Sequence, residues 1–574
     1  MSDFPKVKKS PEKLVNHGHE RIDDYFHLRK RDTKEVLDYL RAENEYAEEY
    51  FSDYEDLKNK LFKEIKGRIK EKDMSVPYTW QGYEYFTSFE EGDEYGRHYR
   101  RKTDSDAQLV LDENERAEGK AFYQLSAKKV APDNSLVAVG EDYVGRRLYS
   151  LSFIDLERNR ELPDRINGTD GNAVWSGDSN SVYYVAKDPE TLRPFRVYRH
   201  ILGQTQDEDE LLYEERDHTF DLGIRLSKSK EFVLINCEST TTSECFFIPT
   251  EADNPRPQSV LNRVRGIEYQ ADHLRGKFYL LHNHRAKNFM ISCFSQEGPF
   301  DLEKAETIVP HDTDVFREEF ELLSDVLAVE ERKGGRTQIR LINEFDYEKS
   351  HFISFNEEAY TVYLHQNPEP DAESLRIGYT SLTTPPSVYD YHLRNEELEL
   401  LKQVEVVGPY NPSEYISERL EIKARDGEMV PVSLVYRKGF KKNGNAPLLL
   451  YGYGSYGISV DPYFSHARLS LLDRGFAFAI AHIRGGQEKG RAWYEEGKLM
   501  NKLNTFYDFI DVAEYLAEKK YTSPNHLYAM GGSAGGLLVG AVMNMRPDLF
   551  NGVVAQVPFV DVISTMLDAS IPLT

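Results

Sequence analysis

The run Gly531-Gly532-Ser533-Ala534-Gly535-Gly536 sets a serine in the pattern G-x-S-x-G. Leu527-Tyr528-Ala529-Met530 ahead of it reads as a buried strand, and residues 537–545 behind it read as a helix. That context suits nucleophilic acyl transfer, because the serine then stands on a sharp strand-to-helix turn that exposes its hydroxyl. Glycines on both sides let strand and helix approach where a Cβ would collide. The amides that open the helix lie behind the serine, where an oxyanion would be held. The alternative is a glycine turn with a structural purpose only.

Two further segments carry chemistry-bearing residues. Tyr451-Gly452-Tyr453-Gly454-Ser455-Tyr456-Gly457 follows the apolar run Leu448-Leu449-Leu450. A loop after such a strand supplies an oxyanion donor in α/β-hydrolases. A tyrosine hydroxyl can serve as that donor beside the backbone N–H of Ala534, or the segment is an aromatic turn that only packs. Ile483-Arg484-Gly485-Gly486-Gln487-Glu488 ends another apolar run. It reads equally as a substrate-facing loop and as a tight turn with a charged rim.

The elements that must position these residues alternate. Phe476-Ala477-Phe478-Ala479-Ile480-Ala481 is a strand apolar on both faces, as in a mostly parallel sheet. Residues 505–519 form an amphipathic helix with Phe506, Phe509, Ile510, Ala513 and Leu516 on one stripe. Strands alternating with helices from residue 409 onward predict an α/β domain. Residues 76–408 differ: short alternating strands rich in Tyr, Phe, Val and Ile recur behind polar turns. Such turns begin at Trp80, Pro132, Gly177, Lys228, Leu274, Ser324 and Glu373, close to the period of a four-stranded propeller blade. Seven units predict seven blades, with a β-sandwich array as the alternative. Residues 1–75 are expected to be a helical segment packing on the α/β domain, with helix from Thr33 to about Lys70.

Composition excludes several functions. A net charge of −25 argues against nucleic acid and against anionic membrane surfaces, which both need a basic face. No apolar run is long enough to span a bilayer, and Met1-Ser2-Asp3-Phe4-Pro5-Lys6 is not a signal peptide. Cys237, Cys245 and Cys293 have neither disulfide nor zinc-site spacing, so buried thiols in a reducing cytoplasm are expected. Neither a metal nor a cofactor is expected, and the expected state is a monomer or small oligomer.

Taken together, Gly454-Ser455-Tyr456-Gly457, Gly485-Gly486-Gln487-Glu488, Trp493-Tyr494-Glu495-Glu496-Gly497-Lys498, Asn504-Thr505-Phe506 and residues 530–574 resemble the prolyl oligopeptidase family. Ala555-Gln556-Val557-Pro558-Phe559-Val560-Asp561-Val562, Ile571-Pro572-Leu573-Thr574 and Ala534 are similar to its oligopeptidase B branch; the opening Arg21-Ile22-Asp23-Asp24-Tyr25-Phe26-His27 fits too, save His27 where an aromatic is usual. The resemblance implies an α/β-hydrolase domain capped by a size-filtering propeller, and cleavage of short basic peptides after Arg or Lys. It implies Ser533 as nucleophile, with Tyr453 and the Ala534 amide as oxyanion donors. Asp461 matches one of two acidic positions that help hold a second basic side chain; the other position is Tyr463, so a dibasic preference is not implied.

An α/β-hydrolase orders its triad Ser, then Asp or Glu, then His. No histidine follows Ser533, and His466, His482 and His526 precede it. Asp548, Asp561 and Asp568 follow Ser533 but lie too early for the family's acid. The expectation is therefore a catalytic domain truncated at its C-terminus, without triad Asp and His. The alternatives are an inactive propeller-bearing binding protein and a proline-specific oligopeptidase.

Overall fold

The computed structural model describes residues 4–103, 105–298, 300–568 and 571. Residues 1–3 of the polar N-terminus and residues 572–574 of the C-terminal motif lie outside the described residues.

Strands from Asp73–Met74 to Glu397–Gln403 form six antiparallel sheets. One has seven strands and is two units joined by the long strand Arg160–Trp175. Its first part pairs with Tyr149–Asp155 and its last part with Ser181–Lys187. Counted so, the described residues hold seven units of four strands, the first strand of the first unit being broken into Asp73–Met74 and Tyr78–Trp80. Each polar turn picked out in the sequence leads into the second strand of its unit, such as Leu136–Asp142, Phe232–Glu238 and Lys277–His282. Those strands are buried on both faces, so they read as apolar runs. Some outermost strands are short and polar, such as Gln258–Ser259, which keeps an exposed sheet edge unreactive.

The units pack face to face through apolar clusters. One joins Val174, Tyr183 and Val197 to Leu222, Ile224 and Val233 of the following unit; another joins Val326, Leu341 and Ile353 to Val362, Leu375 and Tyr391. The last unit meets the first through polar contacts: Arg376 Nη1 donates to the Pro77 carbonyl at 2.6 Å, and the Gln81 N–H to Glu369 Oε1 at 2.7 Å. The ring is a β-propeller.

The second domain is a six-stranded sheet, in the spatial order Tyr415–Lys423, Met429–Arg437, Ala477–Ala481, Leu448–Tyr451, Leu527–Gly532 and Gly552–Gln556. Each of the first three is antiparallel to its neighbour among them, and the last four are parallel. Helices Leu503–Glu518 and Ala534–Met545 bury Phe509, Ile510, Ala513, Leu538 and Val542 against it. This is the α/β-hydrolase arrangement expected.

The N-terminal segment is less purely helical than its sequence suggests. A hairpin, Glu12–Asn16 with His19–Asp23, comes first. The long helix breaks at Ser52–Tyr54 into Lys34–Phe51 and Glu55–Lys66. Glu64 pairs with Arg474 at 2.9 Å and Arg68 donates to Ser470 Oγ at 2.6 Å, which ties the second helix to the α/β domain. Leu40, Phe51, Leu57 and Phe62 of these helices are exposed.

Candidate active site

Ser533 follows the strand Leu527–Gly532 with φ 56° and ψ −117°, a left-handed backbone that costs a residue bearing a Cβ on the order of 1–3 kcal/mol. The surroundings over-determine it. Its N–H donates to the Gln556 carbonyl at 2.9 Å, and its carbonyl accepts from Gly536, Leu537 and Phe559 at 2.9, 3.2 and 3.0 Å. The flanking glycines are required sterically: a Cβ on Gly531 would lie 2.1 Å from the Gly535 carbonyl oxygen, and one on Gly535 2.8 Å from that of Gly452. The Ser533 side chain is exposed, and buried Ala534 opens the helix, so its N–H is one of the first-turn donors without an intrahelical partner.

Leu448–Tyr451 runs parallel beside this strand, with Tyr451 level with Met530. The loop after it and the turn at Ser533 therefore leave the same sheet edge side by side. Tyr453 packs on the turn: its Cα and ring Cδ2 lie 3.5 Å from where a Cβ on Gly535 would be. The half-buried Tyr453 ring is 6.5 Å from the exposed ring of Tyr456. The structure brings Ser533, Ala534 and Tyr453 together.

The Ile483–Glu488 segment has the geometry of a buttress. Arg484 is buried, donates to Asp508 (Nε–Oδ2 2.8 Å) and pairs with Asp426 at 2.6 Å. Burial raises Asp508, and the Arg484 guanidinium opposes that rise. A Cβ on Gly485 would meet the Gly454 carbonyl oxygen at 2.0 Å, so only glycine lets the two loops touch. The Gly457 N–H donates to the Gly485 carbonyl at 2.9 Å, and Gln487 Nε2 to the Gly457 carbonyl at 3.0 Å. Lys502, which its sequence context does not single out, donates to the Gly454 carbonyl and to Ser455 Oγ at 2.8 Å; burial lowers it to about 8.

Asp461 lies further along the Tyr453 loop with both carboxylate oxygens engaged. Arg332 of the propeller donates Nη1 to Oδ1 at 2.6 Å and Nη2 to Oδ2 at 2.7 Å. Tyr463 is half exposed. Nothing in the sequence marks the Arg332 contact, because the partners lie 129 positions apart. The three nearby histidines are not at Ser533. His482 is buried against Ser433 Oγ (2.8 Å), His466 opens the helix His466–Leu472, and His526 lies at the far end of the strand that leads to Ser533. Asp548 pairs with Arg546 at 2.7 Å, and Asp561 caps the short helix Val562–Met566.

Residues 5–404 match the prolyl oligopeptidase N-terminal β-propeller domain, and residues 462–574 the prolyl oligopeptidase family. The chain is 43% identical over 593 residues to dipeptidyl aminopeptidase BI of Pseudoxanthomonas mexicana, covering 99% of this chain and 81% of that protein. It is 36% identical over 581 residues to protease 2 of Moraxella lacunata, covering 100% of this chain and 83% of that one. Among solved structures, oligopeptidase B from Leishmania major superimposes with a TM-score of 0.95 at 35% identity, over 100% of this chain and 84% of that one. Oligopeptidase B from Trypanosoma brucei, with covalently bound antipain, matches with a TM-score of 0.94 at 35% identity over the same shares. The chain belongs to the prolyl oligopeptidase family of serine peptidases and is of the oligopeptidase B type.

Proposed function

We propose that Ser533 is the nucleophile of an oligopeptidase that cleaves short peptides after Arg or Lys. The observation that carries this reading is the strained turn at Ser533, with a first-turn amide lacking an intrahelical partner behind it and Tyr453 packed on its glycine. Ser533 Oγ attacks the scissile carbonyl carbon and forms an acyl-enzyme as the amine leaves, and water then releases the acid. The Tyr453 hydroxyl and the Ala534 amide hold the oxyanion of each tetrahedral intermediate. The Ser533 proton passes to a base, which the chain order of such sites places C-terminal to the serine, and from that base to the leaving amine nitrogen.

A guanidinium taken into a closed site needs a carboxylate partner, and its planar fork favours Arg over Lys. With Asp461 held by Arg332, one basic residue is read rather than two. Three buried free thiols suit a reducing cytoplasm. The test is kcat/KM of the full-length enzyme on matched peptides with Arg, Lys, Pro or Phe at the cleaved position. Arg is expected first, then Lys, with Ser533→Ala abolishing turnover; proline turnover equal to that of arginine overturns the reading.

The 43% identity to a protein named dipeptidyl aminopeptidase BI supports a second reading, release of dipeptides from a free amino terminus. Acetylating the same Arg peptides two residues upstream of the cleaved bond separates the two. An endo-acting oligopeptidase tolerates the acetyl group, whereas a dipeptidyl aminopeptidase does not.

A further inference from the structure

We propose that Arg332 is a positioning residue for catalysis: by clamping Asp461 it holds the loop that carries Tyr453 against Ser533. The inference rests on the assignment of Ser533 and Tyr453 above.

Residues 452–465 lack regular secondary structure and connect Leu448–Tyr451 to the helix His466–Leu472. Their placement therefore depends on anchors. From the α/β domain, Gln487 and Lys502 hold the carbonyls of Gly457 and Gly454, and Glu488 Oε1 accepts from the Val460 N–H at 3.0 Å. From the propeller, Arg332 takes Asp461, and Thr380 Oγ1 accepts from the Phe464 N–H at 3.3 Å. Arg468 Nη1 also donates to the Tyr463 carbonyl at 2.6 Å, so the second half of the loop is held from both domains, and Asp461 is the position where the propeller grips it by a side chain.

Arg332 is built as a rigid post. Its side chain is 6% exposed on the strand Val326–Lys333, and its Nε lies 2.6 Å from Glu318 on the neighbouring strand. Arg332 thus lies between two carboxylates, Glu318 of its own domain and Asp461 of the other. Two parallel charge-assisted bonds fix orientation as well as distance, which a single bond does not. The domains are joined elsewhere by Arg491 with Glu268, by Lys287 with Glu495 at 2.7 Å, and by Arg419 donating to the Gly334 carbonyl at 2.6 Å. None of those pairs touches residues 452–465, so a clamp on Asp461 serves the loop rather than the general union of the domains.

The test compares Arg332→Gln, Arg332→Lys, Asp461→Asn and the double variant Arg332→Gln/Asp461→Asn in the full-length enzyme. The readouts are kcat and KM on an Arg peptide, and backbone hydrogen exchange across residues 452–465 and 486–495. Mispositioning a catalytic group by an ångström costs about 10²-fold. Arg332→Gln should therefore lower kcat by about that factor with KM little changed, and exchange should quicken in 452–465 while 486–495 stays protected. Asp461→Asn, which disturbs the clamp from the loop side and leaves Glu318 to Arg332, should do the same, and the double variant should be no slower than either single one. Arg332→Lys keeps the charge without the fork and should recover only part of the rate.

An unchanged kcat overturns the proposal. So does a rise confined to KM, which would make the pair a substrate contact, or equal loss of protection in 486–495, which would make it a simple domain clamp. Tyr453→Phe separates this inference from the reading beneath it. If that variant keeps full kcat, the donor assignment fails, while exchange in 452–465 still decides whether Arg332 orders the loop.

Discussion

Four hydrogen bonds hold Ser533 in a conformation that its own side chain disfavours, and that side chain is left exposed. In the reading proposed above the oxyanion site opposite uses a backbone amide and Tyr453, a largely buried side chain whose hydroxyl can be removed with the ring left in place. Tyr453→Phe is expected to lower kcat by roughly 10²–10³-fold, the scale of one lost donor, with KM nearly constant; steady-state kinetics on an Arg peptide checks it. A second residue-scale prediction concerns Glu488, whose Oε1 accepts the Val460 N–H and which faces Arg332, Asp461, Arg419 and, at 4.0 Å, His482. Burial pushes Glu488 up to about 7 from 4.5. Folded chains then keep a proton that unfolded chains have lost between those values, so stability must fall as pH rises from about 4.5 to about 7 and level off above. Glu488→Gln removes that slope, on the order of 3 kcal/mol. Denaturant unfolding of both forms at about pH 5 and about pH 8 measures it; parallel pH dependences would refute the assignment.

Among the elements, the strand Arg160–Trp175 belongs to two units at once and carries a bond between them. The Trp175 indole Nε1 donates at 2.7 Å to the carbonyl of Lys129, on the innermost strand of the preceding unit, and its ring meets Phe153 edge-on. Trp175→Phe keeps an aromatic ring and leaves that carbonyl without its donor. The expected loss is about 1–3 kcal/mol in denaturant unfolding, with peptidase kinetics unchanged. Equal stability of the two proteins would show that the units are held by their apolar faces alone. The elbow helix shows the opposite economy. A Cβ on Gly536 would lie 2.5 Å from Pro558 Cα, so its first turn is specified by the absence of side chains.

At the scale of the molecule, the propeller and the α/β domain are joined at two adjacent chain crossings, where Ile69 bridges Val406. A cavity of about 660 Å³ inside the propeller is lined by Arg225, Glu238, Gln270, Asp272, Glu319 and Glu321. A second of about 260 Å³ shares Glu238 and Gln270 with it and reaches Gln487, which holds Gly457 of the Tyr453 loop. We propose that these cavities admit an extended peptide and exclude a folded domain. A short Arg-containing peptide should therefore be consumed under conditions in which the same sequence, carried in a surface loop of a stable folded protein, survives. Mass spectrometry of the two digests decides this, and comparable rates would remove the propeller's role as a filter.

The strand-to-helix turn at Ser533 was legible before any coordinates because its signal is local. A strand, a glycine-flanked serine and a helix lie within twenty consecutive residues, and each demands its own side-chain type. The propeller was legible in its second strands, which are buried on both faces and so announce themselves as apolar runs; the short edge strands carry no such signal, and neither did the hairpin Glu12–Asn16 with His19–Asp23. Only the tertiary structure decided that Asp461 belongs to Arg332, that Lys502 braces the Tyr453 loop, and that Arg484 is spent on Asp426 and Asp508. Each is a meeting of charged groups from distant parts of the chain. A charged residue in a sequence looks alike whether it faces water or a partner, because the partner, not the residue type, sets the energy of the pair.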